Sequence, residues 1–421
     1  MGSYRVMDTV DQEAPRRLGY RPVLDGMRGI AVLLVMLMHT GVVDNGYIGV
    51  DVFFGLSGFL ITTLLCEEWE RTGRISFRRF YERRARRLLP ALVLVVGIFA
   101  GFYLAAEPFT GWPLGTRAAS TLLFVNNWVV GFGGSSRLGS LGPTWSLAQE
   151  EQFYLIWPLI LALLLYRRLP PAAVVGILLG TIVALLALAP LVEQQVPSYD
   201  LYFSPLDRGA ELLLGCAGAV AWRNRLLAIP DRWRLGVDRW RLGATRWRVG
   251  AAGRWPGIDG VRHLSGHRSA WRSLLCLALA GAFVGLLFAH HHRRADMVAI
   301  YLAANALAVP LIIALLSAPG CLLAKLIGSR PLRYVGRISY CLYLCHLLLH
   351  NLLKHYLPGL PVFLYAVLTF SLSFTLAGGS WRLLESRVLR AARPRRTSAV
   401  ARESRAWPEQ RARSALYLDR A

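Results

Sequence analysis

Lysine is almost missing from this chain. Lys325 and Lys354 are the only two, so 46 of the 48 basic residues are arginine. Acid is scarce too, with 25 Asp and Glu, and charged residues fill only 17% of 421 positions. So little charge, beside 55% apolar residues and a mean hydropathy of +0.41, excludes a disordered chain and does not fit two or three soluble domains. Cysteine is sparse and lacks paired spacing. Cys66, Cys216, Cys276, Cys321, Cys341 and Cys345 lie in or beside apolar runs, which excludes a disulfide scaffold and a zinc site and leaves small buried hydrophobes. No metal is expected.

What the chain does have is a succession of long apolar runs. A membrane-crossing helix takes about 20 mostly apolar residues. The pattern predicts an all-α, polytopic integral membrane protein with about ten transmembrane helices, near 25–43, 47–66, 88–106, 146–166, 171–190, 206–222, 273–290, 297–316, 334–353 and 362–381. The stretch 118–132 is shorter and carries Asn126 and Asn127, so it reads as a re-entrant or interfacial segment. Residues 1–22 form an N-terminal cytoplasmic segment, 23–390 the membrane domain, and 391–421 an arginine-rich, poorly ordered tail. No cleavable signal peptide is visible, because the first 20 residues are polar.

The surplus of +23 follows the topology. With residues 1–28 in the cytoplasm, ten spans put 42 of the 48 cations in cytoplasmic segments, leaving Arg117, Arg137, Arg208, Arg293, Arg294 and Lys354 elsewhere. This predicts a multi-pass protein of the cell membrane with both termini inside. Most of the charge thus marks orientation and no nucleic-acid partner. The loop 223–272 holds a degenerate heptapeptide repeat, DRWRLGV, DRWRLGA, TRWRVGA, with Trp233, Trp240 and Trp247 seven apart. Alternating Trp and Arg suits a segment lying on anionic lipid, or one that binds nucleic acid, but a tolerated loop expansion with weak lipid affinity is favoured over both.

Ionisable groups at membrane depth are costly, so each is a candidate site residue. In LDGMRGIAVLLVMLMH, Arg28 and His39 are eleven residues apart. Eleven helical steps make about three turns plus 20° and about 16 Å, so both occupy one helix face. That geometry suits an extended donor with a charged end at the cytoplasmic surface and a reactive end deep in the membrane. Asp51, one turn inside the next span, is expected beside His39, where a carboxylate would orient the imidazole of a general base. Gly49, Gly55 and Gly58 on the same span permit close helix approach. In FRRFYERRARRLLPAL the cluster Arg83, Arg84, Arg86 and Arg87 precedes Pro90. It serves as a topology signal or an anion grip, since Arg84 and Arg87 at i, i+3 face one way.

Further acids and polar tips are expected nearer the outer face. Glu150 and Glu151 open one span, and Asp207, Arg208 and Glu211 enter another. Ser339, Tyr340, Tyr343 and His346 follow in GRISYCLYLCHLLLH. Glu150, Glu151, Arg208, Glu211, Tyr340 and His346 are candidates for holding a hydroxyl-rich acceptor, although Arg208 and Glu211 are also placed to neutralise each other.

The order of these segments resembles the acyltransferase 3 family of polytopic membrane O-acyltransferases. The matching stretches are LDGMRGIAVLLVMLMH, GVDVFFGLSGFLIT, FYERRARRLLPAL, PTWSLAQEEQFYLIWP, DRGAELLLG and SYCLYLCH, which run over about 20–390. The resemblance implies ten membrane helices and an acyl-CoA donor entering from the cytoplasm, acetyl-CoA being favoured. It also implies transfer to a hydroxyl of a glycan, glycolipid or macrolide-type acceptor. It assigns the essential Arg and His to Arg28 and His39, and the basic motif to Arg84 and Arg87. Family members often carry a soluble hydrolase-like domain after the membrane part, and this chain resembles the standalone form. The expectation is that Arg28, Arg84 and Arg87 bind the donor phosphates while His39 acts as general base; an acyl-His intermediate is the variant. The rival reading is a transporter or flippase whose His, Asp and Glu residues relay protons, and a third is a membrane anchor working through the Trp/Arg loop.

Overall fold

The computed structural model describes residues 15–105, 113–134, 137–196, 200–227, 259–289 and 294–391. The Trp/Arg repeat and the arginine-rich tail lie outside the described residues. Among those described, the chain is helical throughout, without strands. In chain order the helices are α1 Pro22–His39, α2 Ile48–Thr72, α3 Phe77–Ala105, α4 Leu114–Leu122, α5 Asn126–Gly133, α6 Thr144–Tyr166 and α7 Pro171–Gln195. They continue with α8 Pro205–Arg223, α9 Asp259–Leu287, α10 Arg294–Ser317, α11 Leu322–Ile327, α12 Arg330–Tyr356, α13 Val362–Ser380 and α14 Ser386–Ala391.

Each predicted span coincides with a long helix. Among the described residues, six segments are long and apolar enough to cross a membrane: Pro22–His39, Asp44–Thr72, Phe77–Leu104, Pro171–Gln195, Ala299–Ser317 and Val362–Ala391. The others are interrupted by the groups that make them interesting. Glu150 and Glu151 lie in α6, Asp207, Arg208 and Glu211 in α8, and Arg330, Arg333 and Arg337 in α12, while the apolar part of α9 is Trp271–Leu287.

Local signals explain the element ends. Proline stands in the first turn of α1, α7, α8 and α12, where a missing N–H costs nothing. Ser204 caps α8 by accepting from the Leu206 N–H at 3.0 Å. Gly73, at φ +67°, stops α2 in a left-handed turn. One boundary differs clearly from expectation: α3 starts at Phe77, eleven residues before the expected span, and runs through Pro90. Arginine is a good helix former, so the basic cluster is the first part of the same helix that then turns apolar. The stretch 118–132 is broken, with α4 and α5 separated at Phe124, whose φ is +56°. Neither piece is long enough to cross a bilayer. Gln152 of α6 pins the break by donating to the Phe124 carbonyl at 2.8 Å, and Asn126 donates to Thr121 at 2.8 Å and Thr144 at 2.5 Å.

Two glycine-mediated crossings fix the centre. On α1, Gly29 lies against the Leu332 carbonyl and Gly336 of α12, and Gly336 in turn meets the Asp25 backbone. On α2, Gly58 lies against Leu212 and Cys216 of α8, whose Gly215 meets the Gly55 carbonyl. Backbones this close leave no room for a Cβ, and dispersion between tightly packed helices is what holds them where lipid is as apolar as leucine. Gly49 brings α2 equally close to Ala31 of α1. Because the two helices run antiparallel from that contact, Asp51 comes level with Gly29, some ten residues or about 15 Å below His39.

Candidate active site

His39 closes α1. Its Nδ1 lies 2.9 Å from the Val35 carbonyl oxygen one turn back and 3.2 Å from Nε2 of His346 on α12. The two rings are tilted by 59° with centroids 4.9 Å apart. His346 is wholly buried, its Nδ1 2.8 Å from the Tyr343 carbonyl and 3.2 Å from that of Leu342. The α1–α12 crossing at Gly29 and Gly336 brings the two imidazoles together, since both helices continue from it towards their His residues.

His39 also forms part of the wall of a cavity of about 540 Å³. Tyr47, Trp145, Tyr202, Phe203, Tyr301 and Tyr343 supply its aromatic surface, and Asp200 and Asp207 its carboxylates. Tyr301 donates to Asp207 at 2.9 Å. Tyr343 donates to the Pro143 carbonyl at 2.9 Å and lies 2.7 Å from the Ser146 hydroxyl.

Asp51 is not the partner of His39. Three helical turns below it, Asp51 pairs with Arg208 at 2.5 Å, and Arg208 pairs with Glu211 at 2.8 Å, all three side chains buried. A charge so enclosed must be matched, and Arg208 is matched twice. Its guanidinium carbon lies 4.7 Å from the Tyr202 ring centroid and 4.8 Å from that of Tyr301. Arg208 and Glu211, expected to touch an acceptor, thus stand behind the aromatic wall and support it.

Glu150 and Glu151 are also displaced from expectation. Thr144 begins α6 within the bundle, beside Asn126 and the Leu141 carbonyl, so two turns on these acids are well inside. Glu150 accepts from Ser57 of α2 at 2.8 Å, and Glu151 takes both arms of Arg84, at 2.5 and 3.3 Å. Arg84 in addition lies 3.4 Å above the Tyr154 ring, so this member of the basic motif is already engaged inside the protein. Tyr340 belongs to the same tier: its hydroxyl is buried without a hydrogen-bond partner among the described residues, within the fields of Glu151 and Arg84.

Two expected donor-site arginines remain available. Arg87 is exposed and feels the charges of both Arg28 and Arg84. Arg28 is half-buried, its guanidinium carbon 6.0 Å from the Phe53 ring and its Nε buried without a partner among the described residues. Clustered cations with an orphaned N–H have the chemistry to hold an anion. Among the described residues no group of three His, Cys, Asp or Glu side chains is placed to hold a metal.

The site has two levels, an arginine tier and, about three turns above it on α1, His39 in the wall of an aromatic cavity with His346 behind it. The acyltransferase 3 family model, described as an acyltransferase domain, matches residues 21–381. The chain belongs to this family. It is 32% identical over 383 residues to peptidoglycan O-acetyltransferase OatA of Listeria monocytogenes, covering 87% of this chain and 55% of that protein. It is 29% identical over 401 residues to O-acetyltransferase OatA of Staphylococcus aureus, covering 90% and 59%. It is 30% identical over 384 residues to the putative peptidoglycan O-acetyltransferase YrhL of Bacillus subtilis, covering 87% and 54%. The chain therefore spans a little over half the length of these curated relatives. No solved structure matches it.

Within this acyltransferase 3 chain, the structure brings His39 to His346 and Arg28 to Arg87, pairs Arg84 with Glu151, and seals Asp51, Arg208 and Glu211 together. Of the cavity's aromatic side chains, the sequence singled out only Tyr343. Trp145 lies in the PTWSL stretch, which the sequence flags only for its acids. Tyr202 and Phe203 form a short 3₁₀ turn, Leu201–Phe203, that no motif announces.

Proposed function

We propose that this chain is a membrane O-acyltransferase that moves an acyl group, acetyl by preference, from acyl-CoA to a hydroxyl of a cell-envelope glycan. The observation that carries this reading is the placing of His39 in the wall of the aromatic cavity, on the same helix face as Arg28 and its arginine tier. The orphaned Nε of Arg28 and the exposed Arg87 fit the phosphates of a CoA, and the thioester end would extend along α1 towards His39. Aromatic rings beside carboxylates suit the apolar faces and hydroxyls of a sugar. The names of the relatives, peptidoglycan O-acetyltransferases, favour a glycan over a macrolide.

His39 takes the hydroxyl proton as the acceptor oxygen bonds to the thioester carbon. The C–S bond then breaks, and the proton passes from His39 to the departing sulfur, giving the ester and free CoA thiol. General-base assistance of this kind contributes roughly 10² to 10⁴ in rate. The reading includes ten membrane crossings in the cell membrane with both termini inside.

The test uses purified full-length protein in lipid nanodiscs with radiolabelled acetyl-CoA and an N-acetylglucosamine oligosaccharide. Wild type should release CoA thiol and label the oligosaccharide, and His39→Ala should do neither while remaining inserted and monodisperse. Full turnover by His39→Ala, or oligosaccharide flux across proteoliposomes that needs no acetyl-CoA, would overturn the proposal.

A further inference from the structure

The geometry points to His346 as the positioning residue that fixes the tautomer of His39, leaving Nε2 of His39 as the basic atom; the inference rests on the reading of His39 as general base. Carbonyl oxygens only accept hydrogen bonds. His346 Nδ1 faces two of them, on Tyr343 and Leu342, and so carries the hydrogen of a neutral ring. Its Nε2 is then a bare acceptor, aimed at His39 Nδ1 3.2 Å away. His39 Nδ1 faces a third carbonyl, that of Val35 at 2.9 Å, and it too carries the hydrogen, shared between Val35 and His346. The lone pair of His39 is left on Nε2. The opposite assignment would keep the bond between the rings with its direction reversed, but would set bare nitrogens against all three carbonyls, so only the first arrangement satisfies every contact.

The same bond serves the charged state. When His39 accepts a proton at Nε2, Nδ1–H becomes the donor of a charge-assisted bond to a neutral acceptor that is already in place and needs no rearrangement. In many enzymes a carboxylate does this work. Here Asp51 lies about 15 Å lower and is bound to Arg208, and His346 replaces it without adding a second buried charge. His346 does not line the cavity, which is what separates a positioning residue from one that touches substrate.

Two substitutions and one spectrum test the assignment. His346→Leu removes the acceptor, whereas His346→Gln retains both functions, since a side-chain amide can donate to the Tyr343 carbonyl and accept from His39. In nanodiscs with acetyl-CoA and the oligosaccharide, kcat of His346→Leu should fall roughly 10²-fold with KM for acetyl-CoA unchanged, and His346→Gln should recover to within about tenfold of wild type. In ¹⁵N-histidine-labelled wild type, assigned by loss of signal in His39→Ala, His39 should show a protonated Nδ1 and an unprotonated Nε2. Inactive His39→Ala beside fully active His346→Leu overturns the inference and spares the functional reading; fully active His39→Ala removes both. Equal loss in His346→Leu and His346→Gln reduces His346 to packing and overturns it too. If His346→Leu does not insert, the wild-type spectrum decides, and a protonated Nε2 on His39 is the overturning result.

Discussion

Arg28 and His39 end up doing different work although one helix carries both, because their surroundings differ. Arg28 keeps a buried N–H that has no partner among the described residues, beside Arg87, whereas Arg84, grouped with them by sequence, spends its fork on Glu151. Arg28→Lys retains the charge and loses the planar fork, so KM for acetyl-CoA should rise roughly 10- to 100-fold with the protein still folded, measured as initial rates against donor concentration. Arg84→Lys should act mainly on stability, since its partner is internal. Arg208 provides the sharpest stability test. Arg208→Met strands Asp51 and Glu211 and should cost roughly 3–5 kcal/mol, read as a lower unfolding midpoint in detergent, and adding Glu211→Gln should recover part of it.

At the scale of helices, close crossings decide where side chains meet. Gly336→Val would press on the Asp25 backbone, separate α1 from α12 and lengthen the His39–His346 contact. Overpacking of this sort costs about 1–3 kcal/mol, and turnover should fall further than stability does, measured on the same nanodisc sample. Gly97 is the control. It lies on the exposed face of α3 with nothing within 4 Å of a Cβ, so Gly97→Ala should leave activity intact and raise stability by roughly 0.5–1 kcal/mol. The broken pair α4 and α5 shows the same logic in reverse. Its backbone can leave the helix at Phe124 because Gln152 receives the freed carbonyl, and that break is what lets α6 start inside the bundle and carry Glu150 and Glu151 to the arginine tier.

Over the whole molecule, the proposed orientation, with both termini inside, rests on the arginine bias and can be read by labelling. In a cysteine-free background, Pro358→Cys in the exposed turn after α12 should react with an impermeant maleimide on intact cells. Arg71→Cys at the end of α2 should react only after permeabilisation; the reverse pattern would invert the topology. Helical class, the positions of the long helices and the face shared by Arg28 and His39 were all legible in the sequence, because apolar run length and a fixed 100° step are local properties. Family membership was legible for the same reason, as ordered local motifs. Partners were not. Asp51 is twelve residues from His39 along the chain yet about 15 Å below it, because α2 runs back antiparallel from the Gly49–Ala31 contact. Arg208 stands 157 residues from Asp51 and His346 stands 307 from His39 in sequence, and each pair is in direct contact. The sequence determined which charged and titratable groups enter the membrane bundle. Only the tertiary structure decided which of them neutralise one another and which stay free to react, since pairing depends on helix depth and crossing, and neither is a local property of the chain.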